Sequence, residues 1–174
     1  MGTCASLTIE QNLALALRRG ARRGFSPGVR RQDRLIFRQN LQRLGLGLED
    51  RMGDRVGLLS GGQRQALTML MATLVPPQVL LLDEHTAALD PKTARQILDL
   101  TGSIITERRL TTLMVTHNMR QALQMGNRLI MLHRGRIILD ICAAEKKALT
   151  QEDLVARFYD IQEEDGVTDR MLLG

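Results

Sequence analysis

Apolar positions in this 174-residue chain change period several times along its length, and each change marks an element. Ile9, Leu13 and Leu17 recur at helical spacing behind Thr8-Ile9-Glu10-Gln11, which has the form of a capping box, so a helix is predicted from Ile9 to near Gly20. Gly24, Pro27 and Gly28 mark a basic loop, and Phe37, Leu41 and Leu44 then define one face of a second helix over about 31–44, stopped by Gly45 and Gly47. From Gln63 to Leu74 the chain has neither Gly nor Pro and is apolar nearly all round, as a buried helix is. Val79 to Leu82 is a continuous apolar run after Pro76-Pro77, which reads as a parallel strand buried on both faces. A helix from Lys92 to about Arg108 follows, with Ala94, Ile97, Leu98, Thr101, Ile104 and Ile105 inward, and then a strand over Leu110 to Thr116. A short helix from Asn118 stops near Gly126. Arg128–Leu132 and Arg136–Ile141 flank a turn at Arg134-Gly135 and read as a hairpin. A last helix is predicted over about 151–162 with Thr150 as N-cap, ahead of an acidic tail. Strands alternating with helices in the second half specify an α/β class, and no internal repeat is visible.

Two of these junctions carry candidate chemistry. Ser60-Gly61-Gly62-Gln63 opens a helix, where unpaired backbone N–H groups and the positive end of the helix dipole favour a phosphate. The strand at 79–82 delivers adjacent carboxylates, Asp83 and Glu84, to its C-terminal edge, where open α/β sheets bind ligands. A carboxylate there holds Mg²⁺ through water, and its neighbour orients an attacking water. Taken singly, Ser-Gly-Gly is an ordinary tight turn, an acidic strand end is common, and a lone histidine such as His117 is usually a structural one.

Their order along the chain resembles the ATP-binding-cassette (ABC) ATPases. Leu59-Ser60-Gly61-Gly62-Gln63 is similar to the signature motif of that family, Val79–Glu84 to its Walker B motif, Ala88-Leu89-Asp90 to its D-loop and His117 to its switch histidine. The resemblance implies that Glu84 is the catalytic base acting on water, that Asp83 holds Mg²⁺, and that His117 contacts the γ-phosphate of ATP. It also implies that Ser60, Gly61, Gly62 and Gln63 close over ATP held by a second cassette in a head-to-tail dimer, with Asp90 coupling the two sites. The implied fold is a partial P-loop NTPase core with an α-helical subdomain, lacking the N-terminal Walker A strands. Its parts would be a helical subdomain over 1–57, a RecA-like core over 58–149 and a C-terminal helix and tail over 150–174. The implied partners are a second ABC ATPase domain, an integral membrane permease and a substrate-binding protein, with the chain peripheral on the cytoplasmic face of the membrane. Within the family, the run from His85 to Thr93 and that from Leu110 to Arg120 resemble ATPases of bacterial uptake systems proposed for aromatic amino acids.

The chain departs from the family's pattern in two places. The family usually has Pro after the catalytic Glu, and here it is His85, to which no chemistry is assigned. No G-x-x-x-x-G-K-[ST] phosphate loop occurs in these 174 residues, and its backbone N–H groups and Lys are what carry the β- and γ-phosphate charge. In this fold the phosphate-loop strand lies between the strands at 110–116 and 128–132. Without it the sheet is expected to be broken there, and the chain by itself inactive and poorly stable or aggregation-prone. One alternative is a non-hydrolysing partner that supplies only the signature motif in trans.

Composition narrows the remaining choices. At 44% hydrophobic and 25% charged the chain can form a globular core, built almost without aromatics. The formal charge is +5, and much of the excess sits at Arg18, Arg19, Arg22, Arg23, Arg30, Arg31, Arg34 and Arg38. That cluster is the only feature in favour of a nucleic-acid-linked ABC ATPase; with no aromatic platform or groove-reading motif beside it, a solvated surface and no nucleic-acid partner are expected. Cys4 and Cys142 lack metal or redox spacing, and His133 is expected in a surface turn. No apolar run is long enough to span a bilayer.

Overall fold

The computed structural model describes residues 2–20 and 28–159. Arg22, Arg23 and the centre of the basic loop, the end of the last predicted helix and the acidic tail lie outside them. Contacts divide the chain into two compact units, Met1–Met114 and Val115–Gly174.

The first unit opens with two helices, α1 (Ile9–Leu17) and α2 (Arg31–Gln42). The capping box at Thr8 forms as the sequence requires: Gln11 N–H donates to Thr8 Oγ1 at 3.2 Å, and Thr8 N–H donates to Gln11 Oε1 at 2.9 Å. Buried Asn12 fastens the preceding segment, donating to the carbonyls of Cys4 and Thr8 and accepting from Cys4 N–H. Asp33 does the equivalent for α2, accepting from Arg30 N–H at 2.9 Å and pairing with Arg18 at 3.2 Å. Phe37, Leu41, Ile9, Leu13, Leu48 and Val56 are wholly buried in one cluster, which also takes in Leu59, Leu67 and Leu70. The last two belong to α3 (Gly61–Thr73), the helix behind the Ser-Gly-Gly turn. Its other side packs on β1 (Val79–Asp83) and α4 (Pro91–Arg108) through Met69, Leu80, Leu82 and Ile104. α3 thus sits between two apolar clusters, which is why its sequence is apolar nearly all round.

β1 pairs with β2 (Thr111–Val115), and β3 (Arg128–His133) pairs antiparallel with β4 (Arg136–Cys142) in a separate sheet. No pairing joins β2 to β3 among the described residues. The expectation that β1 is buried on both faces fails: Leu80 and Leu82 are covered by α3 and α4, but Val79 is 53% and Leu81 70% exposed. Leu113 of β2 is 57% exposed as well. A continuous apolar run fits a strand covered on both sides but does not say that both covers are present. An exposed apolar strand face of this kind favours self-association. Leu81→Lys is expected to leave unfolding free energy within about 0.5 kcal/mol, because the side chain is already in solvent, and to reduce aggregation. Urea unfolding and light scattering of the two proteins check this; equal scattering would show that the face is not what associates.

In the second unit the hairpin turns through Arg134 and Gly135, both with positive φ (47° and 76°), as a two-residue loop of the twist-matching kind requires. Leu129, Met131, Ile141 and Leu154 form its core, with Leu154 in the helical stretch 151–159. α5 (Met119–Gln124) is capped by Asn118, and buried Lys146 of α6 (Ala143–Lys146) donates to the carbonyls of Met125 and Gly126 just past it. His133 is not a turn residue: it ends β3, half-buried, edge-on to Phe158 with ring centroids 5.7 Å apart.

Candidate functional site

The turn before α3 is an N-terminal cap. Gln63 N–H donates to Ser60 Oγ at 3.2 Å, and Ser60 N–H donates to Gln63 Oε1 at 3.2 Å. Arg64 N–H reaches Ser60 O at 2.9 Å, so regular helix bonding begins there. Ahead of it, the N–H groups of Gly61 and Gly62 carry no hydrogen bond among the described residues. Those two orphan donors, with the Ser60 hydroxyl proton, are the groups that suit a phosphate oxygen. Ser60 and Gly61 are exposed. Ser60→Ala is expected to cost about 1 kcal/mol of stability through loss of the cap. A loss near zero in thermal unfolding would mean that Ser60 is not holding the helix end.

β1 presents Asp83 and Glu84 at its end, both exposed. Glu84 has φ 42°, a left-handed conformation unusual for a side-chain-bearing residue and one that clusters at functional sites. Two turns follow, closed by Ala87 N–H to Glu84 O at 3.0 Å and Leu89 N–H to Thr86 O at 3.2 Å. His85, half-buried, turns away from the exposed Glu84 before it. It shares a 3.3 Å hydrogen bond between Nε2 and the hydroxyl of Thr101, which is wholly buried on α4, and burial pulls its pKa down. At the far end of the loop Asp90 caps α4, accepting from Thr93 N–H at 3.0 Å. That hydrogen bonding holds its carboxyl below the usual range, so it is ionised at neutral pH.

The loop and the turn before α3 touch. A Cβ on Gly61 would lie 3.4 Å from Leu89 Cδ2, and one on Gly62 would overlap Thr93 Cγ2. The structure therefore brings together Ser60, Gly61, Gly62 and Gln63 with the loop that carries Glu84 and Asp90. His117 lies in the second unit, exposed, between β2 and the Asn118 cap of α5. Sequence reasoning did not find the contacts of Thr93 with Gly62, Leu89 with Gly61 or Thr101 with His85, which span 31, 28 and 16 residues respectively.

No group of three or more His, Cys, Asp or Glu able to hold a metal by protein ligands alone occurs among the described residues. The adjacent carboxylates of Asp83 and Glu84 nevertheless fit Mg²⁺, which keeps several waters and takes one or two carboxylates together with substrate phosphates. Three of the clustered arginines are engaged within the chain: Arg18 with Asp33, Arg19 with Ala72 O at 3.1 Å, and Arg34 in a two-pronged pair with Glu10 at 2.8 and 3.1 Å. Among the described residues no helix is long and apolar enough to cross a membrane.

Comparison with known proteins finds relatives of one family. Residues 3–87 match the family model described as ABC transporter. The chain is 46% identical over 158 residues to a tyrosine transport ATP-binding protein of Clostridioides difficile, covering 91% of this chain and 62% of that protein. It is 34% identical to the methionine import ATP-binding protein MetN of Streptococcus agalactiae, over 85% of this chain and 41% of the relative. Among solved structures, a dimeric ATP-binding cassette in a post-hydrolysis state with ADP and Pi matches at TM-score 0.65 and 28% identity, over 81% of this chain and 59% of the other. An inward-facing ABC transporter of metal-chelate type matches in fold at TM-score 0.72 and 24% identity, over 91% and 61%. The chain belongs to the ABC transporter ATP-binding domains, with a mixed helix and strand fold that forms part of a P-loop NTPase core. It spans less than two-thirds of the length of these relatives.

Proposed function

We propose that this chain is the signature-turn and carboxylate portion of an ATP-hydrolysing subunit that powers a membrane permease, working as an importer from the cytoplasmic face of the membrane. The observation that carries the reading is the pairing of two elements in one unit. A capped helix end with unused N–H groups at Gly61 and Gly62 is packed against the loop that follows Asp83 and Glu84. The first suits a phosphate and the second a metal and a water, so one unit carries both kinds of group that act on a nucleoside triphosphate, each toward a different nucleotide of a paired assembly. ATP bound with Mg²⁺ would supply the transferable phosphoryl group and its charge neutralisation. This chain's residues do the rest. Ser60, Gly61, Gly62 and Gln63 bind phosphate oxygens of ATP held by a second cassette, Asp83 holds the metal through water, and Glu84 accepts a proton from the attacking water. His117 contacts the γ-phosphate, and Asp90 couples the two sites. A substrate-binding protein completes the importer. Relatives named for tyrosine and methionine favour an amino-acid substrate, carried by the permease and not by this chain.

The phosphate cradle has to come from polypeptide outside these 174 residues, since they hold no G-x-x-x-x-G-K-[ST]. A second reading is that the chain lends only its signature turn to an intact cassette. Phosphate release by the chain mixed with an intact cassette, such as the C. difficile relative, tests both. Ser60→Arg is expected to suppress the stimulation by blocking the turn, and an unchanged rate would rule out both readings. Glu84→Gln in the subunit that includes the phosphate cradle separates the two: suppressed hydrolysis supports the catalytic reading, and an unchanged rate leaves only the turn-only one.

A further inference from the structure

Gly62 raises a question of its own. Its φ is not in the left-handed region, so its backbone conformation does not demand glycine. It sits inside the first turn of α3, where alanine is intrinsically favoured by roughly 0.5–1 kcal/mol. What excludes a side chain is space: a Cβ there would overlap Thr93 Cγ2, and Gly62 is buried in this structure with no second chain present. Glycine at this position is thus needed for a close approach within the chain, whatever approaches the turn from outside.

Thr93 is well placed to transmit that contact. Its backbone N–H is held by Asp90, at the end of the loop after Glu84, and Leu89 of the same loop lies against Gly61. At its other end the loop is tied to α4 by His85 and Thr101, about two turns beyond Thr93 along that helix. α4 therefore fastens the Glu84 loop at two points and touches the Ser60–Gln63 turn at a third.

We propose that Thr93 is a positioning residue: by packing on Gly62 it locks the Ser60–Gln63 turn to the loop that follows Glu84, so that the two move as one body. The functional meaning rests on the phosphate-facing reading of the turn. A change at the carboxylates of this chain is then passed directly to the turn that this chain presents to the partner's nucleotide.

Four amides report on the two segments: Gln63 and Arg64, bonded to Ser60, and Ala87 and Leu89, bonded within the loop. Their hydrogen exchange, followed by NMR in the chain and three variants, tests the lock without nucleotide, so its outcome is separate from that of the ATPase reading. Gly62→Ala is expected to speed exchange at all four by roughly ten- to a hundredfold, the range typical of overpacking, and to leave the hairpin amides of β3 and β4 unchanged. Thr93→Ser removes the opposing methyl and is expected to speed the four by roughly a few-fold. In the double variant the methyl introduced at position 62 fills the space left by Cγ2, and exchange returns to near that of the natural chain, a strongly non-additive cycle. Should Gly62→Ala fail to fold, slower exchange in the double variant than in Thr93→Ser alone carries the same conclusion. A double variant no better protected than either single one overturns the proposal. So does an effect confined to Gln63 and Arg64, because the loop would then not move with the turn.

Discussion

Glu84→Gln in the assembled ATPase is expected to lower turnover roughly 10²- to 10⁴-fold, the range for loss of a positioned general base. The substitution keeps the size of the side chain and its place at the end of β1, and removes only the capacity to take a proton. Glu84 follows the strand directly and is held in a left-handed backbone conformation by the turn its own carbonyl closes with Ala87. Association of the chain with its partner cassette should survive the change. Single-turnover phosphate release, read beside ATP binding, separates the two. A variant that hydrolyses at the natural rate would remove Glu84 from the chemistry, and one that no longer associates would mean that its role is structural.

Phe37→Ala should have the largest effect on stability, about 3–5 kcal/mol. Phe37 is wholly buried among residues of α1, α2 and the segment before α3, so truncation leaves a cavity whose walls are themselves fixed helices. Two exposed positions on the same helix give the contrast. Leu35 is 65% and Ile36 42% exposed, and replacing Leu35 by Ala is expected to stay within about 0.5 kcal/mol. Urea unfolding of both variants measures the difference. Similar losses at positions 35 and 37 would show that the helical face has been assigned wrongly.

What the sequence made legible was mostly local. The capping box at Thr8 is read from a four-residue pattern and forms as the spacing requires, and Ser60 opens a helix as expected, with a capping box that the sequence reading did not name. Arg134-Gly135 between two apolar runs identified the hairpin. Helix α4, expected from Lys92 to about Arg108, runs from Pro91 to Arg108, within one residue at its start. The short helical turns at Leu48–Asp50 and Val56–Leu58, and α6, were missed because three or four residues carry no measurable period.

The remaining misses share a cause, which is distance along the chain. That β1 is covered on one face only depends on which elements lie beside it, and Val79 and Leu81 read the same whether or not a cover exists. His85 looked like an unassigned substitution, yet it is the anchor between the carboxylate loop and α4. No residue type announces the left-handed backbone at Glu84. The Ser60-Gly61-Gly62 turn reads from the sequence as a helix start whose N–H groups face a phosphate. Only the structure shows that Leu89 and Thr93 already occupy one side of that turn.

ATP-dependent association is the most direct test of the account, which holds that this chain's turn closes over ATP held by another polypeptide's phosphate loop. Sedimentation velocity of the chain with the intact C. difficile relative, with and without MgATP, measures it. The account predicts a complex that forms only with MgATP and is lost with Ser60→Arg. A chain that binds MgATP by itself, or a complex indifferent to nucleotide and to Ser60, would contradict it.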